Sequence, residues 1–329
     1  MRRTGSERRI RSHLVLTMVV MTVAASACGP IRLGRGRASG EPEKITAVLA
    51  RVPATDELPG LIGRMQVHRV KQGETLLDVA REAGLGFHEL RDANPAIDEW
   101  VPPLGAEVVV PSRWILPRSR YRGLVVNIPE MRMYVFPTDA KPGELVPLRT
   151  WAVGIGTEEA PSPIGPFTIR SKDANPTWIV PDSIYKTMDN PQRVVPPGPD
   201  NPMGAYRIRL NHGAYAIHGT NDPWSIGRLT THGCIRLYPE DLEILYPRVD
   251  AGMPGELVYQ PLKIGVRDER VYVEVHADVY GRIKDFDGYA RAELKKAGVA
   301  NRIDPARFTA AVKAKRGIPV DVTKEAKRA

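Results

Sequence analysis

Residues 216–242 read AIHGTNDPWSIGRLTTHGCIRLYPEDL and bring His218, His232 and Cys234 close together in the chain, each histidine followed by glycine. A thiol becomes a nucleophile when a neighbouring base raises its thiolate fraction and amide donors face the oxyanion that its attack creates. Gly233, just before Cys234, carries no side chain, so backbone N–H groups there can approach a substrate carbonyl. His218 closes the run AYAIHG, where an imidazole could project from a strand end toward the thiol. Two other readings compete. A buried cysteine can simply pack, and His218, His232 and Cys234 are enough donors for a catalytic zinc ion. The chain has no HExxH or paired-cysteine spacing to support zinc, so neither a metal nor another cofactor is expected. His212, in LNHGAYAIHG, has no cysteine beside it and reads as structural.

The elements that must position these residues are mainly strands. From Tyr121 onward GLVVNIPEMRMYVF, LVPLRTWAVGIG, GPFTIRS, AYRIRL, AYAIHG and GELVYQPLKIGV are short β candidates separated by turn residues. Only YPEDLEILYPRV reads as a clear helix, with Pro239 in its first turn, acids at its start, and Leu242, Leu245 and Tyr246 on one face. Thirty prolines and 29 glycines against five phenylalanines fit a chain of strands and turns. A mostly antiparallel sandwich or barrel around one helix is expected over 121–262. Residues 263–329 add a strand or two and basic helical turns, with no visible chemistry.

The pattern HG-T followed by [S/T]-HGC-(apolar)-[N/R] resembles the signature of L,D-transpeptidases of the YkuD-domain family. IHGTNDPWSIG…THGCIRL is most similar to the ErfK/YbiS branch, and SPIGPFTI and NPTWIVP extend the resemblance over residues 121–262. The resemblance implies a β-rich domain that cuts an L,D-amide in a peptidoglycan tetrapeptide. It implies Cys234 as the nucleophile attacking the carbonyl before the terminal D-Ala, and His218 as the base, its ring oriented by a backbone carbonyl near Gly219. It further implies an oxyanion hole from the Gly233 and Cys234 amides, and a pocket shaped by Thr231 and His232. Arg236 stands where many members carry Asn. A guanidinium there suits a substrate carboxylate or an outward ion pair. The acyl group would pass to an amine of a second stem or of an envelope lipoprotein.

Upstream, QVHRVKQGETLLDVAREAGLGFHELRDANPAIDEWVPPLGAEVVVP folds by pattern as βααβ. Thr75 can cap a helix carrying Leu76, Val79 and Ala80 that ends at Gly84. A second helix holding Phe87, Leu90 and Ala93 stops at Asn94-Pro95. This order resembles a LysM domain over residues 64–112, and the resemblance implies binding of N-acetylglucosamine-containing glycan strands, with Gly73, Glu74, Thr75 and Asn94 flanking the sugar groove. Residues 28–63 read as a linker, with a short strand in ITAVLA.

The N-terminus MRRTGSERRIR precedes an apolar run of about 14 residues, too short to span a bilayer at the usual ~20. With Ala25-Ser26-Ala27 it reads as an export signal over 1–27. Cleavage there leaves Cys28 first, which resembles a bacterial lipoprotein and implies a membrane anchor through that cysteine. Removing residues 1–27 takes five arginines and one glutamate, so the net charge falls from +9 to +5. A mildly basic protein in the envelope or periplasm favours anionic polymers. Nucleic acid is excluded, because export separates the protein from it and no basic-aromatic cluster is present. Cys234 is then an unpaired thiol in an oxidising compartment, either buried and inert or reactive for a purpose. Against the transpeptidase stand a non-catalytic peptidoglycan-binding protein and a zinc-dependent wall hydrolase.

Overall fold

The computed structural model describes residues 41–54, 56–186 and 192–325. The export segment and Cys28 lie outside them. From residue 41 onward the expected linker is ordered structure. Strand β1 (Ala47–Arg51), from the ITAVLA run, pairs antiparallel with residues 145–149, and β2 (Leu61–Gly63) pairs with residues 113–115. Ala50, Val52 and Ile62 are buried in the main core. A free linker would leave that apolar surface in water, so burial holds the segment down.

The βααβ module is present in the expected order: β3 (Gln66–Arg69), α1 (Leu76–Ala83), α2 (Phe87–Ala93) and β4 (Glu107–Val110), with β3 antiparallel to β4. Thr75 caps α1 reciprocally with Asp78, and Gly84 ends it in the left-handed region at φ 69°. After β5 (Arg113–Ile115) the chain enters the larger, β-rich domain. Module and domain share one core: Leu76, Val79 and Leu90 pack in the same cluster as Val125, Tyr134 and Phe136. Backbones also meet. A Cβ on Gly86 would lie 2.6 Å from the Gly227 Cα, and the Phe87 and His88 N–H groups donate to the Ile226 and Gly227 carbonyls, each at 3.2 Å. A buried pair, Arg132 Nε to Glu89 Oε1 at 2.8 Å, crosses the junction. Removing either partner would strand a charge, which fixes the docking geometry.

The domain contains β6 (Gly123–Asn127), β7 (Arg132–Phe136), β8 (Leu145–Ala152), β9 (Ile155–Gly156), β10 (Gly165–Ala174), β11 (Trp178–Ile179), the one-turn α3 (Asp182–Tyr185) and β12 (Val194–Val195). There follow β13 (Tyr206–Leu210), β14 (Ala216–His218), β15 (Leu229–Thr231), β16 (Ile235–Arg236), α4 (Pro239–Leu245) and β17 (Pro254–Val258). Nine strands form one sheet in the order β1-β8-β7-β6-β17-β10-β13-β14-β16, antiparallel except at β6–β17 and β14–β16. The mainly β class holds, and among the described residues of this domain α4 is the one multi-turn helix, where it was expected. Strand β10 pairs through residues 165–168 with β17. Past a register shift between Ile169 and Ser171 it pairs with β13, a bulge that turns the sheet toward the site.

The C-terminal region, expected to add a strand or two and basic helical turns, holds three strands and two helices among its described residues. β18 (Leu262–Arg267), β19 (Arg270–Val275) and β20 (Val320–Asp321) form a sheet, and α5 (Phe286–Lys296) and α6 (Pro305–Ala314) complete the region. It has its own core, which includes Val271, Val273, Leu294 and Phe308. Buried Lys263 ties it to the domain, its ammonium 2.7 Å from Glu130 and 2.8 Å from Glu274.

Candidate active site

Register places the reacting residues. Parallel β14 and β16 set Ile217 opposite Ile235 and His218 opposite Arg236. Side chains alternate along a strand. Ile217 and Ile235 therefore enter the core, while Ala216, His218, Cys234 and Arg236 face a cleft of about 710 Å³.

Cys234 sits in a tight turn that only glycine permits at the preceding position. Gly233 has φ +97°, and a Cβ there would lie 2.4 Å from the Tyr215 ring and 3.1 Å from the Pro161 carbonyl oxygen. The Thr231 hydroxyl staples this turn. It accepts from the Gly233 N–H at 3.0 Å and donates to the Cys234 carbonyl at 2.7 Å. This corrects one expectation. The Gly233 N–H is spent inside the turn, so of the two expected oxyanion donors the Cys234 N–H remains.

His218 is buried, and its Nδ1 lies 2.7 Å from the Gly219 carbonyl oxygen. A carbonyl only accepts, so Nδ1 carries the hydrogen of the neutral ring and Nε2 keeps the lone pair. Burial, aided by the charges of Arg236 and Arg207, pulls the His218 pKa down to about 3, against the opposing carbonyls of Gly219 and Pro202. The Cys234 thiol is pushed up, chiefly by burial, while the Ala216 N–H and the two arginines pull it back. Both partners are therefore neutral at rest.

The remaining expected residues divide clearly. His232 is exposed on the cleft wall and Thr231 is buried beneath it. His212 is exposed in the β13–β14 turn and does not line the cleft. Arg236 forms no ion pair among the described residues, and its Nε is buried without a hydrogen-bond partner. Zinc ligation by His218, His232 and Cys234 fails on geometry. Among the described residues the one trio with ligand atoms mutually within 4.8 Å is Glu130, Glu274 and His276. There the Lys263 ammonium already bridges the two carboxylates.

In the module, Asn94 points inward: its amide donates to Leu90 and Val109 carbonyls at 2.7 and 2.8 Å and accepts from the Val109 N–H at 2.7 Å. With these groups spent it cannot serve a sugar. Glu74 is largely consumed by His68 (2.8 Å) and the Lys71 N–H (2.6 Å), and Thr75 is the helix cap. Gly73 turns at φ +79° with open space beside it. The exposed side chains nearby are instead Trp100, Val101 and Leu104.

Two sets of site residues escaped the sequence. Arg207 and Arg209 line the cleft, and their alternation with buried Ile208 in β13 was the available signal. Tyr280, in the C-terminal region, donates to the Gly156 carbonyl at 3.0 Å and accepts from the Ser162 N–H at 3.1 Å. Gly156 abuts Gly233, where a Cβ on Gly156 would lie 2.9 Å from the Gly233 Cα. No sequence signal connects positions 118 residues apart.

A mainly β domain with a cysteine and a neutral histidine lining one cleft defines the class. The L,D-transpeptidase catalytic domain known as YkuD matches residues 121–262, and the chain belongs to that family and is an L,D-transpeptidase. It is 34% identical over 251 residues to the probable L,D-transpeptidase YbiS of Escherichia coli, covering 74% of this chain and 80% of that one. It is 30% identical over 285 residues to the probable L,D-transpeptidase ErfK/SrfK of Salmonella typhimurium, covering 82% and 90%. The probable L,D-transpeptidase YcfS of Escherichia coli is 34% identical over 233 residues, covering 68% and 72%.

Proposed function

We propose that Cys234 attacks the L,D-amide before the terminal D-Ala of a peptidoglycan tetrapeptide. The observation that carries this reading is the shared face of β14 and β16, which sets the Cys234 thiol and the neutral His218 ring on one cleft wall. The thiol proton passes to His218 Nε2 as the sulfur–carbon bond forms, and the Cys234 N–H faces the developing oxyanion. The amide carbon–nitrogen bond then breaks, and D-Ala leaves with the proton from His218. An incoming amine attacks the thioester and gives a proton to His218, which passes it to the sulfur as the carbon–sulfur bond breaks, restoring the thiol and the neutral ring. The amine belongs to a second stem, giving a 3-3 crosslink, or to a lysine of an envelope lipoprotein.

The protein works in the cell envelope after export, anchored through a lipid on Cys28, and its module holds glycan strands. The exposed Trp100 loop supports that last role better than Asn94, because an aromatic face can stack on a sugar ring. The test is mass spectrometry of muropeptides after incubation with tetrapeptide-bearing sacculi. Loss of D-Ala with new crosslinked or amine-capped stems is expected. Unchanged stems in the presence of the active thiol would refute it.

A further inference from the structure

Among the described residues the cleft is lined by charge of one sign: Arg170, Arg207, Arg209 and Arg236 line it, and no described aspartate or glutamate does. One carboxylate stands behind them: Asp173 accepts from Arg207 Nε and Arg209 Nε, each at 3.0 Å. Arg170, like Arg236, makes no ion pair among the described residues. Asp222 adds its charge to Arg236 without an ion pair, so among the described residues four guanidinium groups answer to two carboxylates.

Register arranges these charges around the reacting atoms. Asp173 pairs with Arg207, Arg207 with His218, and His218 with Arg236, a row running across four strands. The next row carries Ser171, Arg209 and Ala216, and continuing the parallel register sets Cys234 beside Ala216. Guanidinium groups thus flank the histidine on both sides, and one lies in the thiol's own row. Clustered cations facing a partly enclosed cleft repel one another and attract anions, and a guanidinium matches a carboxylate through two parallel hydrogen bonds.

We propose that Arg207, Arg209 and Arg236 bind free carboxylates of the donor peptide, so that the enzyme accepts the polyanionic stem and rejects its carboxamide form. This deepens the proposed function and rests on it. Rejection follows from donor and acceptor chemistry. Arginine only donates, and the NH₂ of a carboxamide also donates, so amidation keeps one hydrogen bond through the remaining oxygen and sets donor against donor at the second. Burial chiefly keeps the His218 ring proton-poor, and a bound carboxylate would offset the part that Arg236 and Arg207 add. The base therefore strengthens when the right donor arrives.

The experiment compares a tetrapeptide bearing free side-chain carboxylates with the same peptide bearing carboxamides there, its terminal D-Ala unchanged. D-Ala release by the full mature protein should fall about 10- to 100-fold in kcat/KM on amidation. Arg209→Gln should bring the two donors within about threefold by slowing the anionic one, and Arg209→Lys should restore part of the preference. Because a variant can misfold, Cys234→Ala protein titrated with each peptide by calorimetry gives a second measurement, with weaker binding of the carboxamide expected. Equal turnover and equal binding of both peptides would overturn the carboxylate wall while leaving the transpeptidase reading standing. Turnover of neither peptide would overturn both.

Discussion

Four residues separate His212-Gly213 from His218-Gly219, and the same dipeptide meets opposite fates. His212 occupies the turn between β13 and β14, exposed, with its ring centroid 6.1 Å from that of Tyr215. His218 ends β14 with 4% of its surface exposed and its Nδ1 bound to a carbonyl. What separates them is register. One side chain leaves a hairpin turn into water, while the other lies in a row of paired strands between Arg207 and Arg236. Chemistry here belongs to a place in the sheet rather than to a dipeptide.

The largest expected break in that contrast is His218→Ala. Removing the base should slow acylation about 100- to 10,000-fold with the fold retained, measured as D-Ala release alongside circular dichroism. A variant still acylated at the wild-type rate would remove His218 from the reaction.

Next comes the response to acid. The folded pKa of His218 is depressed to about 3 from an ordinary 6.5, so between those values the unfolded chain binds a proton that the native protein refuses. Stability from this residue is complete above pH 6.5 and is lost as pH falls toward 3. The slope is at most about 1.4 kcal/mol per pH unit. Half-buried His88, held near 4 by burial, Arg91 and Arg228, adds to the same loss. Urea unfolding of His218→Gln against wild type from pH 7 to pH 4 should show a shallower slope in the variant. Parallel curves would contradict the burial account.

A smaller effect should follow Tyr280→Phe. It deletes the hydroxyl that bridges Gly156 and Ser162 and leaves the buried Ser162 N–H without that acceptor. A cost of about 1–3 kcal/mol in thermal or chemical unfolding is expected, together with slower acylation, because this loop backs Gly233. An unchanged melting temperature would show that the C-terminal region does not brace the site. The smallest effect belongs to His212→Ala, which should change stability by no more than about 0.5 kcal/mol and leave D-Ala release near wild type.

Much of this was legible in the chain. Every strand candidate from GLVVN to KIGV lies in or beside an observed strand, and the βααβ order, the Thr75 cap and the Gly84 stop appear as expected. The Cys234 and His218 pair was legible because its motif is local. What escaped depends on distant partners. Residues 41–63 look like a linker until Ile62 and Ala50 find a core supplied by later strands. Asn94 looks like an exposed loop residue until the β4 backbone consumes its amide. Gly233 looks like an oxyanion donor until Thr231 takes its N–H. The cationic row emerges only when β10, β13, β14 and β16 are laid side by side.

The central claim, that Cys234 carries the acyl group, is tested most directly by mass spectrometry of the protein trapped with a carbapenem, alongside D-Ala release from tetrapeptide. A carbapenem presents a strained amide-like carbonyl to the thiol, so one adduct on the peptide containing Cys234 is expected in the wild type. Cys234→Ala should lose both the adduct and D-Ala release. Serine at that position should fail nearly as badly, because a hydroxyl is a much weaker nucleophile beside the same base. A Cys234→Ala protein that still releases D-Ala from tetrapeptide would contradict the account.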